Sequence, residues 1–168
     1  MKKFILLLLI FFPTKAFSLI EVDITRGNLN PLPIAVSALS IDENSKNTFE
    51  KILKKKDIGL EISKIVENDL KTSGLFNPLN RDAFLQAPDI ANIKPRFEDW
   101  NLIKAQALIT GKVNLVDEKL RVEFRLWDVL AGKEMMALAF TTVPTNWRRV
   151  GHIITDKVYE RLTGEKGY

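Results

Sequence analysis

Between Ala107 and Val143 apolar and polar residues alternate in three consecutive runs, and nothing else in the sequence constrains the fold as tightly. Ala107 to Val116 is the first run. In the second, Leu120, Val122, Phe124 and Leu126 interleave strictly with Arg121, Glu123 and Arg125; in the third, Met135 to Val143, Met136, Leu138 and Phe140 share a face. A period of two sends every apolar side chain of a strand to the same side. The connections are short, Asp117-Glu118 and Ala131-Gly132, although the first lacks the glycine of the favoured two-residue hairpins. The runs therefore predict an antiparallel meander with one face wet and one face on a core.

Two helical patterns can cover that face. Ile58, Ile62, Ile65, Val66 and Leu70 form one apolar stripe behind Asp57 as N-cap, with Glu61 in the first turns and Gly74 as the stop. Pro144 and Thr145 open a second helix, with Trp147, Val150, Ile154, Val158 and Leu162 on one side and Gly164 at its end. Ile34 to Leu39 reads as the first core strand, and Leu75 to Leu79 as a short extended piece. Arg81 to Leu85 reads as one helical turn and Phe97 to Lys104 as a short amphipathic helix. The polar stretch Ile41 to Lys56, with Lys54-Lys55-Lys56, reads as a solvated loop or helix end. The expected fold is a two-layer α/β sandwich: a mixed sheet of four to five strands with two main helices on one face. The methionines and aromatics on those faces are core material.

Composition then removes most enzyme chemistry. The 168 residues suffice for one domain, and 46 % of them are hydrophobic. There is no cysteine, hence no disulfide framework, no thiolate zinc site and no thiol nucleophile. One histidine, His152, excludes a multi-histidine metal site. His152 and Asp156 stand four apart on the last helix, and such a pair can orient an imidazole as a base. It can equally be a structural helix pair, and the chain has no Gly-x-Ser-x-Gly elbow or glycine-rich phosphate loop to complete a site. His152 and Asp156 are therefore read as structural. Glu21 with Asp23, and Glu67 with Asp69, are read as solvated charge. No catalytic residue, metal, cofactor or small-molecule substrate is expected.

The amino terminus is an export signal. Met1-Lys2-Lys3 precedes Phe4 to Phe12, nine unbroken apolar residues. That is too short for a hydrocarbon core needing about 20 residues, and right for a signal-peptide hydrophobic region. Pro13 ends the run, and Ala16-Phe17-Ser18 offers a cleavage site after Ser18. Residues 1–18 carry three of the 25 basic residues and no acid, leaving 22 bases against 21 acids. A nearly neutral body opposes nucleic-acid binding. Residues 19–32 are expected to be a flexible amino-terminal strand and linker. Ile20, Val22 and Ile24 alternate with Glu21, Asp23 and Thr25 before Arg26 to Pro33 breaks the pattern.

In order, Pro33 to Val36, Asp57-Ile58-Gly59, Ile65 to Leu70 and Ser73 to Leu79 form a recognisable series. Trp100, Ala107 to Val113, Leu126 to Val129, Arg149 to His152 and Asp156 to Gly167 complete it. Together they resemble the TolB amino-terminal domain family, periplasmic components of the Tol-Pal system in Gram-negative bacteria. The resemblance implies a domain over 33–164 like the anticodon-binding domains of some tRNA synthetases, and a part in the complex that draws the outer membrane inward at division. It implies that the mature amino terminus, Leu19, Ile20, Glu21, Val22, Asp23, Ile24 and Thr25, contacts a TolA-like protein. The family's Pal contact belongs to a following β-propeller, of which residues 165–168 would be only a linker stub. Pal binding is not expected here, and a truncated form, a split gene product or an excised domain is. A stand-alone periplasmic regulator of wall synthesis or outer-membrane assembly is the competing reading.

Overall fold

A computed structural model describes Ile20, residues 30–91 and residues 93–166. Chain order is β1 (Leu32–Val36), β2 (Ser40–Ile41), α1 (Glu43–Leu53), α2 (Ile58–Thr72), β3 (Phe76–Pro78), a 3-10 turn (Arg81–Ala83), α3 (Pro88–Ala91) and α4 (Phe97–Leu102). Then follow β4 (Ala107–Val116), β5 (Lys119–Asp128), β6 (Lys133–Thr142), a second 3-10 turn (Pro144–Asn146) and α5 (Trp147–Thr163). The strands form one mixed sheet in the order β3-β1-β4-β5-β6, with β2 also on β4. β1 runs parallel to β3 and β4, while β4, β5 and β6 are the antiparallel meander. The architecture is the two-layer mixed α/β arrangement expected, with α1, α2 and α5 on one face.

The alternation does what its period requires. Leu120, Val122, Phe124 and Leu126 are buried against Ile58, Ile62, Val66 and Leu70 of α2 and Val150, Ile154, Val158 and Leu162 of α5. Two close approaches set the helix positions. A Cβ on Gly59 would sit 2.1 Å from the Leu39 carbonyl oxygen, and one on Gly151 would sit 2.8 Å from Cγ2 of Ile65. Only glycine lets α2 start over the β1–β2 link and lets α5 lie so near α2. On the opposite face a smaller core gathers Ala35, Trp100, Ala105, Leu108, Trp127 and Val129 under α4. There the Trp127 indole donates to the Thr110 hydroxyl at 2.9 Å.

Several expectations need correction. Ile41 to Lys56 contains helix α1 rather than a solvated stretch. Its N-cap is Asp42, whose carboxylate accepts the Ser45 amide at 2.9 Å. Phe49 is fully buried and the Ser45 hydroxyl accepts the Leu115 amide at 2.9 Å, so one ring and one hydroxyl attach a polar helix to β4. Three helices cover the main core instead of two. The first strand is Leu32–Val36, not Ile34 to Leu39: Leu39 is buried in the link to β2, its amide held by the Ser63 hydroxyl at 3.0 Å. Leu32 thus pairs in the sheet instead of belonging to a linker.

Candidate partner-binding site

The expected contact segment is Leu19 to Thr25, of which Ile20 is described; Leu19 and Glu21 to Thr25 lie outside the described residues. The Ile20 amide donates to Oδ2 of Asp128 at 3.3 Å. Asp128 is 1 % exposed, and its Oδ1 accepts the Ala131 amide at 2.8 Å. One carboxylate oxygen therefore closes the β5–β6 turn while the other holds Ile20. A buried carboxylate demands such partners, because stripping its hydration without them is costly.

The Ile20 side chain, half-buried, packs on the main core and borders a groove of about 600 Å³. Met136 and Leu138 of β6 line its apolar part, and Lys157, Glu160, Arg161 and Gly164 come from the last turns of α5 and its cap. The Arg161 guanidinium donates to the Met135 carbonyl at 3.3 Å, fixing the end of α5 to β6. Lys157 and Glu160 pair at 2.8 Å on the rim. Burial of Glu160 is slight, and the Lys157 hydrogen bond holds its carboxyl below the usual range. β6 is the last strand of the sheet. The site thus combines a strand edge, whose backbone groups can accept another strand, with an apolar floor and a charged rim.

His152 is not paired with Asp156 as the spacing suggested. Its Nδ1 lies 2.6 Å from Oδ2 of Asp69, a residue of α2. The close approach at Gly151 brings the imidazole to α2, and a facing helix offers a shorter reach than the next turn of its own. Asp69 is therefore a cross-helix partner rather than solvated charge. Glu67 likewise pairs with Arg81 at 2.9 Å, and the Arg81 Nε donates to the Val36 carbonyl at 3.2 Å. Burial pushes the Arg81 guanidinium below its ordinary value, while Glu67 and Asp57 pull it back.

His152 and Asp156 do share a shallow groove of about 430 Å³ with Asn68, Thr72, Thr155 and Tyr159. The three neighbouring aliphatic hydroxyls are committed elsewhere: Thr72 donates to the Asn68 carbonyl, Ser73 to Leu70 and Thr155 to Gly151. None is aligned on the imidazole as a nucleophile. Among the described residues no three His, Cys, Asp or Glu side chains converge to hold a metal ion. Sequence reasoning missed Asp128 and Asp69. The one signal for Asp128 was an acid inside an otherwise apolar run, Leu126-Trp127-Asp128-Val129; for Asp69 the sequence carries none.

Comparison with known proteins gives three findings. A family model described as the TolB amino-terminal domain matches residues 20–135. The Tol-Pal system protein TolB of Pelagibacter ubique (strain HTCC1062) is 78 % identical over 166 residues, which is 99 % of this chain and 37 % of that protein. The crystal structure of TolB from Acinetobacter baumannii superimposes with a TM-score of 0.64 at 21 % identity, covering 82 % of this chain and 30 % of the other. That last likeness is one of fold.

Proposed function

This chain belongs to the TolB amino-terminal domain family, and from that premise we propose that it is a non-enzymatic periplasmic adaptor of the Tol-Pal system. In this reading it contributes to outer-membrane invagination and integrity during cell division. Its contact is Leu19 to Thr25, which docks on a TolA-like protein by strand addition, with Ile20, Val22 and Ile24 as alternate anchors. The observation that carries the reading is the match over residues 20–135, which begins inside that segment. Lys2-Lys3 and the apolar run Phe4 to Phe12 support export with cleavage after Ser18. A Pal-type partner is assigned to the portion of the longer relative outside this chain, so residues 19–164 are expected not to retain Pal.

Deleting Leu19 to Thr25 from the processed protein tests this. Calorimetric titration against a TolA-like protein should lose all measurable heat. The melting temperature should fall by about 5–10 degrees while the protein stays folded, because one half-buried Ile and one amide bond to a buried carboxylate together amount to about 2–3 kcal/mol. Retained binding would move the contact to the folded body. An intact Met1 in mass spectra of periplasmic material would remove the cleaved signal.

A further inference from the structure

We propose that the basic edge formed by the end of α1 and the first turns of α2 and α5 docks on the surface of an anionic phospholipid bilayer. Residues 50–57, Glu-Lys-Ile-Leu-Lys-Lys-Lys-Asp, hold four lysines and two acids in a body whose charge is otherwise balanced. Helix α1 stops at Leu53 because Lys54 takes a left-handed conformation, φ 55°, and returns its amide to the Glu50 carbonyl at 3.0 Å. That reversal leaves Lys51, Ile52, Lys54 and Lys56 all exposed, with Ile52 53 % exposed among the ammonium groups.

The nearby acids are occupied. Glu61 is shared by Lys55 at 3.4 Å and Lys64 at 3.1 Å. Asp57 turns its Oδ1 onto the Leu60 amide at 2.8 Å, leaving Glu50 as the exposed acid of the run. Among the described residues no carboxylate pairs with Lys51, Lys54 or Lys56. Glu61 and Lys64 share a surface hollow with Trp147, Arg148 and the paired Asp69 and His152, and Arg148 and Arg149 are both exposed in the first turn of α5, which carries the positive edge onto that helix. Among the described residues no helix is long and apolar enough to cross a membrane.

Lys51, Lys54 and Lys56 line none of the grooves described above, and one exposed aliphatic side chain, Ile52, stands among them. A shaped protein or sugar partner needs complementary pockets; a bilayer of anionic headgroups does not, and takes lysines additively while the aliphatic group enters the interface. The bilayer's place in the cell rests on the export reading above, but adsorption to vesicles does not depend on it.

The test is co-sedimentation of the processed protein with phosphatidylglycerol–phosphatidylethanolamine vesicles and with phosphatidylcholine vesicles. Binding should favour the anionic vesicles and fall steeply with salt. Lys51→Gln, Lys54→Asn and Lys56→Gln together should lower the partition about a hundredfold at low salt, at about fivefold per lysine. Asn keeps the left-handed turn that residue 54 requires, and circular dichroism checks the fold. Ile52→Ser should weaken binding separately, whereas Lys71→Gln with Lys94→Gln and Lys119→Gln removes equal charge elsewhere and should have little effect. Titration of the TolA-like protein should be unchanged by the three α1-edge substitutions, which keeps this proposal separate from the adaptor reading. Equal partition onto both vesicle types, an equal loss in the charge-matched control, or capture by peptidoglycan sacculi in place of vesicles would overturn it.

Discussion

The imidazole of His152 and the carboxylate of Asp69 are 83 positions apart in the chain and 2.6 Å apart in space. No periodicity encodes that pairing, because it depends on how closely Gly151 lets two helices approach. The pair lies at the surface, with the His152 side chain 59 % and that of Asp69 26 % exposed, so its worth is that of a surface pair, about 0.2–1 kcal/mol. A double-mutant cycle in urea with His152→Ala and Asp69→Asn should return a coupling of that size. The cycle with His152→Ala and Asp156→Ala should return a coupling near zero. A second residue-scale consequence lies in the β4–β5 hairpin. Asp117 and Glu118 both have positive φ, 49° and 59°, the conformation that a two-residue loop needs and that side chains resist. A left-handed side-chain residue costs about 1–2 kcal/mol, and glycine's extra unfolded freedom returns about 0.5–1 of that. Glu118→Gly should therefore stabilise the protein by about 0.5–1 kcal/mol in denaturant unfolding.

At the scale of the element, legibility followed the number of apolar residues that each element buries. α2 and α5 bury full stripes, β5 alternates without a fault, and all three stood out from spacing alone. α1 did not, because Phe49 is its one fully buried hydrophobic side chain and Ile52 faces water. Its start was written in Asp42, three residues before Ser45, but an N-cap without a stripe behind it reads as a turn. The groove site was half legible for the same reason. The alternation of Ile20, Val22 and Ile24 marked the segment as a strand, whereas the seat of Ile20 on Asp128, Met136 and Leu138 depends on tertiary packing. β6 was expected to have one buried face, yet Leu138 is exposed and Met136 and Phe140 are only half-buried. β6 is the last strand of the sheet, and α5 packs on it with Ile20 at the border of the groove beside Met136 and Leu138. If Phe49 is what fixes α1, Phe49→Ala should cost about 3–5 kcal/mol, the range for emptying a buried ring site. Asp42→Ala should cost about 1 kcal/mol through the lost cap. Equilibrium unfolding of the two variants measures both, and equal small losses would mean that α1 is held by its cap and not by its ring.

Across the molecule, four carboxylates among the described residues are held below their ordinary values by partners the fold supplies, and they sit at separate places. Asp42 is lowered first by the Ser45 hydrogen bonds, Glu61 by Lys64, Glu123 by Arg121 and Glu160 by Lys157. Each binds its proton less readily in the folded chain than in the unfolded one. The stability they contribute is therefore complete above the unfolded values, about pH 3.9–4.3 for such groups, and is lost as pH falls through the lower folded values. Together they should make the urea midpoint decline below about pH 4.5, and at about 1 M salt the part due to exposed ion pairs should shrink, since screening there acts over about 3 Å. The four are not equivalent. Glu123 bridges Lys112 at 3.4 Å and Arg121 at 2.9 Å across two strands, and Glu61 bridges Lys55 and Lys64, each with a side chain 28 % exposed. Glu160 answers one lysine on the same exposed helix face. Glu61→Gln with Glu123→Gln should therefore flatten the acid limb of the profile more than Glu160→Gln does. Urea midpoints taken from pH 6 down to the acid transition decide it: a double variant that keeps the parent's slope would assign the acid sensitivity to other groups.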